Sequence, residues 1–249
     1  MKNSWKSCLA LWLSAAAALG AAIPARGEIR YGLRLGWTSG QLRAVQDEGG
    51  FTVDKFAEGG VALGLTANLR LTPFLALQPE ILYFQKGGGY NVGVPVDVPG
   101  VTVGVKDVRN LNYLEIPLLL KLSIPLRGIF RPTFLIGPSV GWNLSGNLDS
   151  RIAVNVPGYE FIFWESRNMK SELNDFELSA VIGGGFDLDL RRGTLSVDSR
   201  FYFGLKTNGF KVVVPASKFA QLGFPPAPDL AYDLDMYNYV WSLSVGFLF

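Results

Sequence analysis

Residues 237–249 alternate with a period of two. Tyr237, Tyr239, Trp241, Leu243, Val245, Phe247 and Phe249 are large and apolar, while Asn238, Ser242, Ser244 and Gly246 between them are small or polar. That period makes a β-strand with two unlike faces, since successive side chains of a strand point to opposite sides. Aromatic residues stand at both ends of the apolar face, the arrangement of a strand that crosses a membrane with an interfacial girdle at each surface. A strand of this kind cannot stand alone in lipid, where every backbone N–H and C=O needs a partner and only a closed sheet leaves no edge. The chain must therefore supply further strands of the same kind.

Seven other segments do so. Ile29–Thr38 sets Ile29, Tyr31, Leu33, Leu35 and Trp37 against Arg30, Gly32, Arg34 and Gly36. Gly60–Leu71 sets Val61, Leu63, Leu65, Ala67, Leu69 and Leu71 against Gly64, Thr66, Asn68 and Arg70. Leu75–Lys86 opposes Leu75, Leu77, Ile81 and Tyr83 to Gln78, Glu80 and Lys86; Leu111–Ile124 opposes Leu114, Ile116, Leu118, Leu120 and Leu122 to Tyr113, Glu115 and Lys121. Pro132–Leu144 opposes Phe134, Ile136, Val140 and Trp142 to Thr133, Gly137, Ser139 and Gly141. Phe176–Leu190 opposes Phe176, Leu178, Ile182, Phe186 and Leu188 to Glu177, Gly183, Gly185, Asp187 and Asp189. Thr194–Lys206 opposes Leu195, Val197, Phe201, Phe203 and Leu205 to Ser196, Asp198, Arg200, Gly204 and Lys206.

The connections alternate short and long. Those around Thr72–Phe74, Pro125–Arg131 and Arg191–Gly193 are short; those near 39–59, 87–110, 145–175 and 207–235 are long. An even strand number with short turns at one end and long loops at the other predicts an all-β fold: an eight-stranded antiparallel up-and-down transmembrane β-barrel with long extracellular loops and both termini in the periplasm. A turn at Pro99-Gly100 would place Gln78 opposite Lys121 and Glu80 opposite Leu119. A two-residue turn at Arg192-Gly193 would place Asp187 opposite Asp198. Both registers keep inward residues facing inward residues. Pro79, Pro117 and Pro138 fall inside strands, where proline removes a ladder donor, and local bulges or water are expected there.

A soluble barrel would turn its apolar face inward. Eight strands enclose an interior only just filled by side chains, too narrow for about six large residues per strand, so the apolar face is expected to meet lipid. The other face, rich in Gly and Ser, suits a narrow lumen. Mean hydropathy is positive, yet the most apolar run, Leu111–Leu126, is broken by Glu115, Pro117, Lys121 and Pro125. Residues 1–27 read as a cleaved signal peptide, with Lys2 and Lys6 before the Cys8–Ala22 apolar run and Ala25-Arg26-Gly27 at the cleavage site. The mature barrel domain would span 28–249. Its lack of cysteine suits passage through an oxidising periplasm.

The expected lumen holds Arg30, Arg34, Arg70, Lys121, Arg200 and Lys206 against Glu80, Glu115, Glu177, Asp187, Asp189 and Asp198, with Lys86 nearer the outer mouth. Buried charges need partners, and the registers above pair Glu80 diagonally with Lys121, Asp187 with Asp198, and Arg200 diagonally with Asp187. Arg30, Arg34 and Arg70 would share one periplasmic level on the far side. This predicts a structural charge network that plugs the barrel, as opposed to an ion path or a carboxylate dyad of Asp187 and Asp198. With no histidine in the chain, Ser-His and Cys-His pairs and His metal sites are excluded. No enzymatic activity, catalytic residue, cofactor or metal is expected. A net charge of +2 implies no nucleic-acid partner.

Leu77–Gly87, Leu111–Lys121 with its Tyr-Leu-Glu-Ile-Pro core, and Arg131–Gly141 resemble the PorT-like outer-membrane β-barrel family of Bacteroidetes and relatives. Phe84 stands where that family usually has a small polar residue. The resemblance implies an eight-stranded outer-membrane barrel, and its named member suggests a role as accessory to envelope protein secretion or transport. The residues alone suggest a structural or partner-binding surface barrel, with a narrow passive pore as the other alternative. Its partners would be outer-membrane lipid, the barrel-assembly machinery reading Phe249 as an assembly signal, and a protein at the extracellular loops. The barrel is expected as a monomer. Those loops are rich in apolar residues: Asn91–Val108 reads as a hairpin above the membrane, and Tyr159–Trp164, Phe210–Pro215 and Phe219–Pro228 add aromatic and proline-rich stretches. Such patches mark partner sites or pack on one another as a cap.

Overall fold

The structure, a computed structural model, describes residues 28–44, 53–94, 99–170, 173–205, 208–214 and 230–249. The expected signal peptide, Lys206 and the 219–228 stretch lie outside them. The elements are β1 (Ile29–Ala44), β2 (Val53–Phe56), β3 (Glu58–Arg70), β4 (Leu75–Val94), β5 (Thr102–Ser123), β6 (Phe130–Val156), β7 (Tyr159–Asn168), β8 (Phe176–Leu190), β9 (Gly193–Gly204), β10 (Asn208–Val214) and β11 (Leu230–Leu248). Eight of them form an antiparallel ring in the order β1-β3-β4-β5-β6-β8-β9-β11, closed by pairing of β1 with β11 from Gly32↔Leu248 to Ala44↔Met236. β2, β7 and β10 pair on the outside of that order with β4, β6 and β11.

The burial pattern inverts that of a soluble protein. Leu35 is 63% exposed, Leu65 58% and Ile81 52%, whereas Arg200 and Glu115 are 0% exposed. Charged groups are almost never fully buried unless paired, and a continuous exposed apolar band means another apolar phase covers it. The band is bounded by aromatic side chains. Phe74, Phe130, Phe186, Phe247 and Phe249 lie at the short-turn end. Trp37 and Trp241, Phe203 and Tyr239, and Trp142 and Phe176 make ring pairs at the other end. Just above Tyr83, outward-facing polar groups take over. The Tyr83 hydroxyl donates to Asn112 Oδ1 at 2.8 Å, and Asn112 Nδ2 donates to Ser145 Oγ at 2.8 Å. From Ile29 to Trp37 or Leu75 to Tyr83 the strands cover the ~9–11 residues a tilted crossing needs.

The strands exceed that length. β5 has 22 residues and β6 has 27. The segments expected as loops at 87–110 and 145–175 are therefore largely strand, forming with β2 and β7 a sheet above the membrane. Gly100 and Gly158 turn its two hairpins at φ of 80° and 88°, which only glycine adopts at low cost. The inner face of this sheet is buried, with Tyr90, Val103, Val105, Leu148, Ile152 and Val154 among its core.

Three expectations about register are corrected. Lys121 faces Ala76 and Gln78 faces Leu119, two residues from the expected pairing. Leu190 pairs with Gly193, so Arg191-Arg192 is the turn; Asp187 faces Ser196, and Asp198 faces Gly185. A two-residue slip preserves which face each side chain occupies, so the inward and outward sets survive while the neighbours change. Pro79, Pro117 and Pro138 produce no bulge. The β3–β4 register continues from Thr66↔Glu80 to Leu69↔Leu77, and β5–β6 from Pro117↔Ser139 to Leu120↔Ile136, without a shift. A strand residue's N–H points to one neighbour only, so proline forfeits a bond without requiring an extra residue. Among the described residues the one register shift falls at Asn112/Tyr113, at the upper membrane boundary.

Candidate functional site

The lumen is a stack of layers. At the periplasmic mouth, Arg30 and Arg70 converge on Glu28, with contacts of 2.8 and 3.2 Å. Asp189 accepts from Arg131 at 2.5 Å and from Thr194 at 2.8 Å, with Arg30 at 3.9 Å. A small cleft among Asn68, Arg70, Ser123, Arg131 and Asp187 opens beside them. One layer further in, Lys121 Nζ meets Asp187 at 2.7 Å.

Above this lies a fully buried square of two arginines and two carboxylates. Arg200 donates Nε to Asp198 at 2.6 Å, and Nη1 and Nη2 to Glu80 at 2.6 and 2.9 Å. Arg34 contacts Asp198 through Nη1 at 2.6 Å and Glu80 through Nε at 3.1 Å. Arg34 comes from β1, Glu80 from β4, and Asp198 and Arg200 from β9, so the cluster ties together strands that are not neighbours in the ring. The glycine run on β8 makes the room. A Cβ on Gly183 would lie 2.9 Å from Arg200 Cγ, and one on Gly185 would lie 2.8 Å from Asp198 Cβ. Gly183 and Gly185 oppose Arg200 and Asp198 directly, and a Cβ on either would also strike the β9 backbone, at Ser199 O (2.7 Å) and, closer still, at Val197 O.

The next layer is apolar, which the expected Gly- and Ser-rich lumen did not include. Ala62, Leu82, Phe84, Leu119, Leu135, Val181, Tyr202 and Val240 form one buried cluster. Phe84 and Tyr202 pack with ring centroids 4.8 Å apart. Beyond it, Lys86 Nζ sits between Glu115 at 2.9 Å and Glu177 at 3.4 Å, and over the Tyr113 ring at 4.6 Å. Ser139 Oγ donates to Glu115 at 2.6 Å, and Asn238 Nδ2 donates to Glu177 at 3.0 Å. The Asn143 amide, 1% exposed, has no partner among the described residues.

Inside the extracellular sheet, Tyr90 donates to Asp107 and accepts from Arg109 Nη2 at 2.8 Å. Burial pushes the Tyr90 hydroxyl above its ordinary value, so it stays protonated and remains a donor.

The structure thus brings the expected charges together in different sets. Arg34, Glu80, Asp198 and Arg200 join; Glu80 does not reach Lys121, which binds Asp187 instead. Asp187 and Asp198 are not cross-strand neighbours, and each has its own cation. Arg200 is bonded to Asp198, not to Asp187. Arg30 and Arg70 stay at the mouth while Arg34 lies deeper. Glu115 and Glu177 share Lys86. Phe249 is 68% exposed in the lower girdle, its ring against Phe247 and its N–H donating to Tyr31 O at 2.8 Å. Lys86, expected nearer the outer mouth, belongs to the network; its alternation in phase with Gln78 and Glu80 carries that signal. Arg131, expected in a turn, is in phase with Thr133 on β6 and faces inward. Among the described residues no group of three or more acidic, His or Cys side chains could hold a metal.

A closed eight-stranded ring with a lipid-facing apolar band and a charged, filled interior defines a transmembrane barrel protein. The family model for the outer membrane protein beta-barrel domain matches residues 21–208. The chain belongs to that family, and its place is the bacterial outer membrane. No curated protein sequence matches it. Among solved structures it is similar to the outer membrane protein OprG from Pseudomonas aeruginosa, at 13% identity and a TM-score of 0.40, covering 89% of this chain and 94% of that one. It is also similar to Ail, the attachment invasion locus protein of Yersinia pestis, in complex with the heparin analogue sucrose octasulfate, at 11% and 0.35, covering 89% and 99%. Neisserial surface protein A is similar at 8% and 0.36, covering 88% and 97%.

Proposed function

We propose that this outer-membrane barrel is non-enzymatic and closed, and that it acts through the sheet it raises above the membrane, as a structural or partner-binding surface protein. The observation that supports a closed lumen is the buried apolar layer around Phe84 and Tyr202, held between two ion-paired layers. A hydrated ion crossing it would be stripped of water with only the Tyr202 hydroxyl, already an acceptor for Arg200, as a polar group in its place. Each carboxylate of the candidate dyad is already neutralised by a lysine or by arginines, which favours a structural role for the charge network over catalysis. The likeness of the 77–87, 111–121 and 131–141 segments to the PorT-like barrels suggests, as partner, a component of a secretion machine.

Planar-bilayer recording of the purified protein tests the reading. The wild type is expected to give no large, stable conductance, and Phe84→Ser, which removes most of the plug's ring contact, is expected to give a measurable one. A reproducible nanosiemens-scale channel in the wild type would make it a pore. A normal set of secreted proteins in a deletion strain would count against the secretion partner.

A further inference from the structure

The outer face of the extracellular sheet carries a row of side chains that the lumen does not use. Across five strands, paired residues run Asp54, Asn91, Lys106, Arg151 and Trp164. Lys106 and Arg151 are direct cross-strand neighbours, an arrangement that destabilises a sheet when nothing neutralises it. Lys106 has no ion pair among the described residues. Its ammonium lies over the Phe56 ring at 4.9 Å. The Arg151 guanidinium lies over the Trp164 ring at 5.7 Å, with Glu160 no nearer than 3.8 Å. The two cations are thus drawn to opposite sides by aromatic rings. Above them the floor is Gly93, Gly104 and Ala153, and a Cβ added at either glycine would meet nothing within 4 Å. Trp164 is 75% exposed at the edge of that floor. Asp149, exposed on the same face and diagonal to Lys106, and Asp54 at the end of the row temper the positive charge.

Position identifies what this face meets. Following β5 downward, the same face carries Asn112 in the boundary belt and then the lipid-facing Leu114, Ile116 and Leu120. Lys106 stands about 15 Å above Asn112, at a ~3.3 Å rise per residue and a strand tilt of ~40°. An ordinary headgroup layer reaches only ~5–8 Å beyond the hydrocarbon, so at this height the lipid group within reach is an extended sugar headgroup.

We propose that this row docks the phosphorylated sugar headgroup of an outer-leaflet glycolipid. Lys106 and Arg151 take a phosphate between them, and Trp164 stacks on a sugar ring beside the Gly93–Gly104–Ala153 floor. The proposal goes beyond the closed-barrel reading and does not depend on it.

The test is native mass spectrometry of the full-length barrel released from detergent, titrated with lipopolysaccharide lacking O-antigen and with the same glycolipid after phosphatase treatment. Folding of every variant is checked by its heat-modifiable gel migration. A basic side chain near an anionic surface is worth about fivefold in affinity, so Lys106→Gln with Arg151→Gln should weaken binding roughly 25-fold. Asp149→Asn, which removes a competing charge, should tighten it. Unchanged binding by the double variant, or equal binding of the dephosphorylated glycolipid by the wild type, overturns the proposal. Retention of an acidic protein with no glycolipid bound would overturn it equally.

Discussion

Two of the charged layers inside this barrel flank the apolar layer, one on each side, and they are built differently. The lower one sets Arg34 and Arg200 against Glu80 and Asp198, two cations for two anions, with five contacts of 3.1 Å or less. The upper one sets Lys86 alone against Glu115 and Glu177 and completes itself with Ser139 and Asn238. Arginine's planar fork grips two carboxylates at once, whereas a lysine is a point charge shared between them. The difference separates a lock from a joint. The lower layer spans strands far apart in the ring, so losing any member strands charge in the membrane's low-dielectric core. The upper layer carries an excess carboxylate and sits at the polar boundary, so it tolerates losing one.

The largest effect should come from breaking the lock. Arg200→Met leaves Glu80 and Asp198 sharing Arg34, and removal of one partner from a buried charge network costs about 3–5 kcal/mol. Urea unfolding of the barrel in lipid vesicles, followed by tryptophan fluorescence, reads this directly. A loss below about 1 kcal/mol would mean that the lower layer is hydrated and holds nothing together.

A smaller and more discriminating effect separates the two layers. Asp198→Asn and Glu177→Gln each replace a buried carboxylate by its amide. In the lower layer that removes the anion both arginines contact and should cost about 3 kcal/mol. In the upper layer it brings the anions down to match Lys86, with Asn238 free to reorient its amide, and should cost less than about 1 kcal/mol. Equal losses in the same unfolding experiment would erase the contrast between lock and joint.

The same contrast explains what the sequence disclosed. Alternation put Arg34, Glu80, Glu115, Lys121, Glu177, Asp187, Asp198 and Arg200 on one face, and all eight are buried, because the face a residue occupies depends only on period. Their partners depend on stagger between strands, and that was set by turns whose central residues the sequence left ambiguous. A shift from Arg192-Gly193 to Arg191-Arg192 was enough to move Asp198 from Asp187 to Gly185. Arg34 reaching Asp198 is harder still, since it spans the intervening β11 and leaves no mark in either strand. The apolar layer had a trace in the sequence: Leu82, Phe84 and Tyr202 are in phase with lumen residues, and Phe84 is a bulky aromatic where the resembled family has a small polar residue. The extracellular sheet was half visible. Valine alternation after Asn91 suggested the first hairpin, while the second, β6 with β7, lacked so regular a pattern.

The mouth supplies the weakest effect and fixes the scale for the rest. Glu28 accepts from both Arg30 and Arg70, yet its side chain is 50% exposed and the arginines are 27% and 33% exposed. Water screens such pairs, and exposed ion pairs contribute at most about 1 kcal/mol. Glu28→Gln should therefore change stability by less than about 0.5 kcal/mol, and raising the salt concentration should abolish even that. The lower lock, walled off from solvent, should keep its full effect at the same salt. If the Glu28 and Arg200 variants shifted together with ionic strength, the two sites would share one dielectric environment. The distinction between a wet mouth and a dry interior would then fail, and with it the argument for a closed lumen.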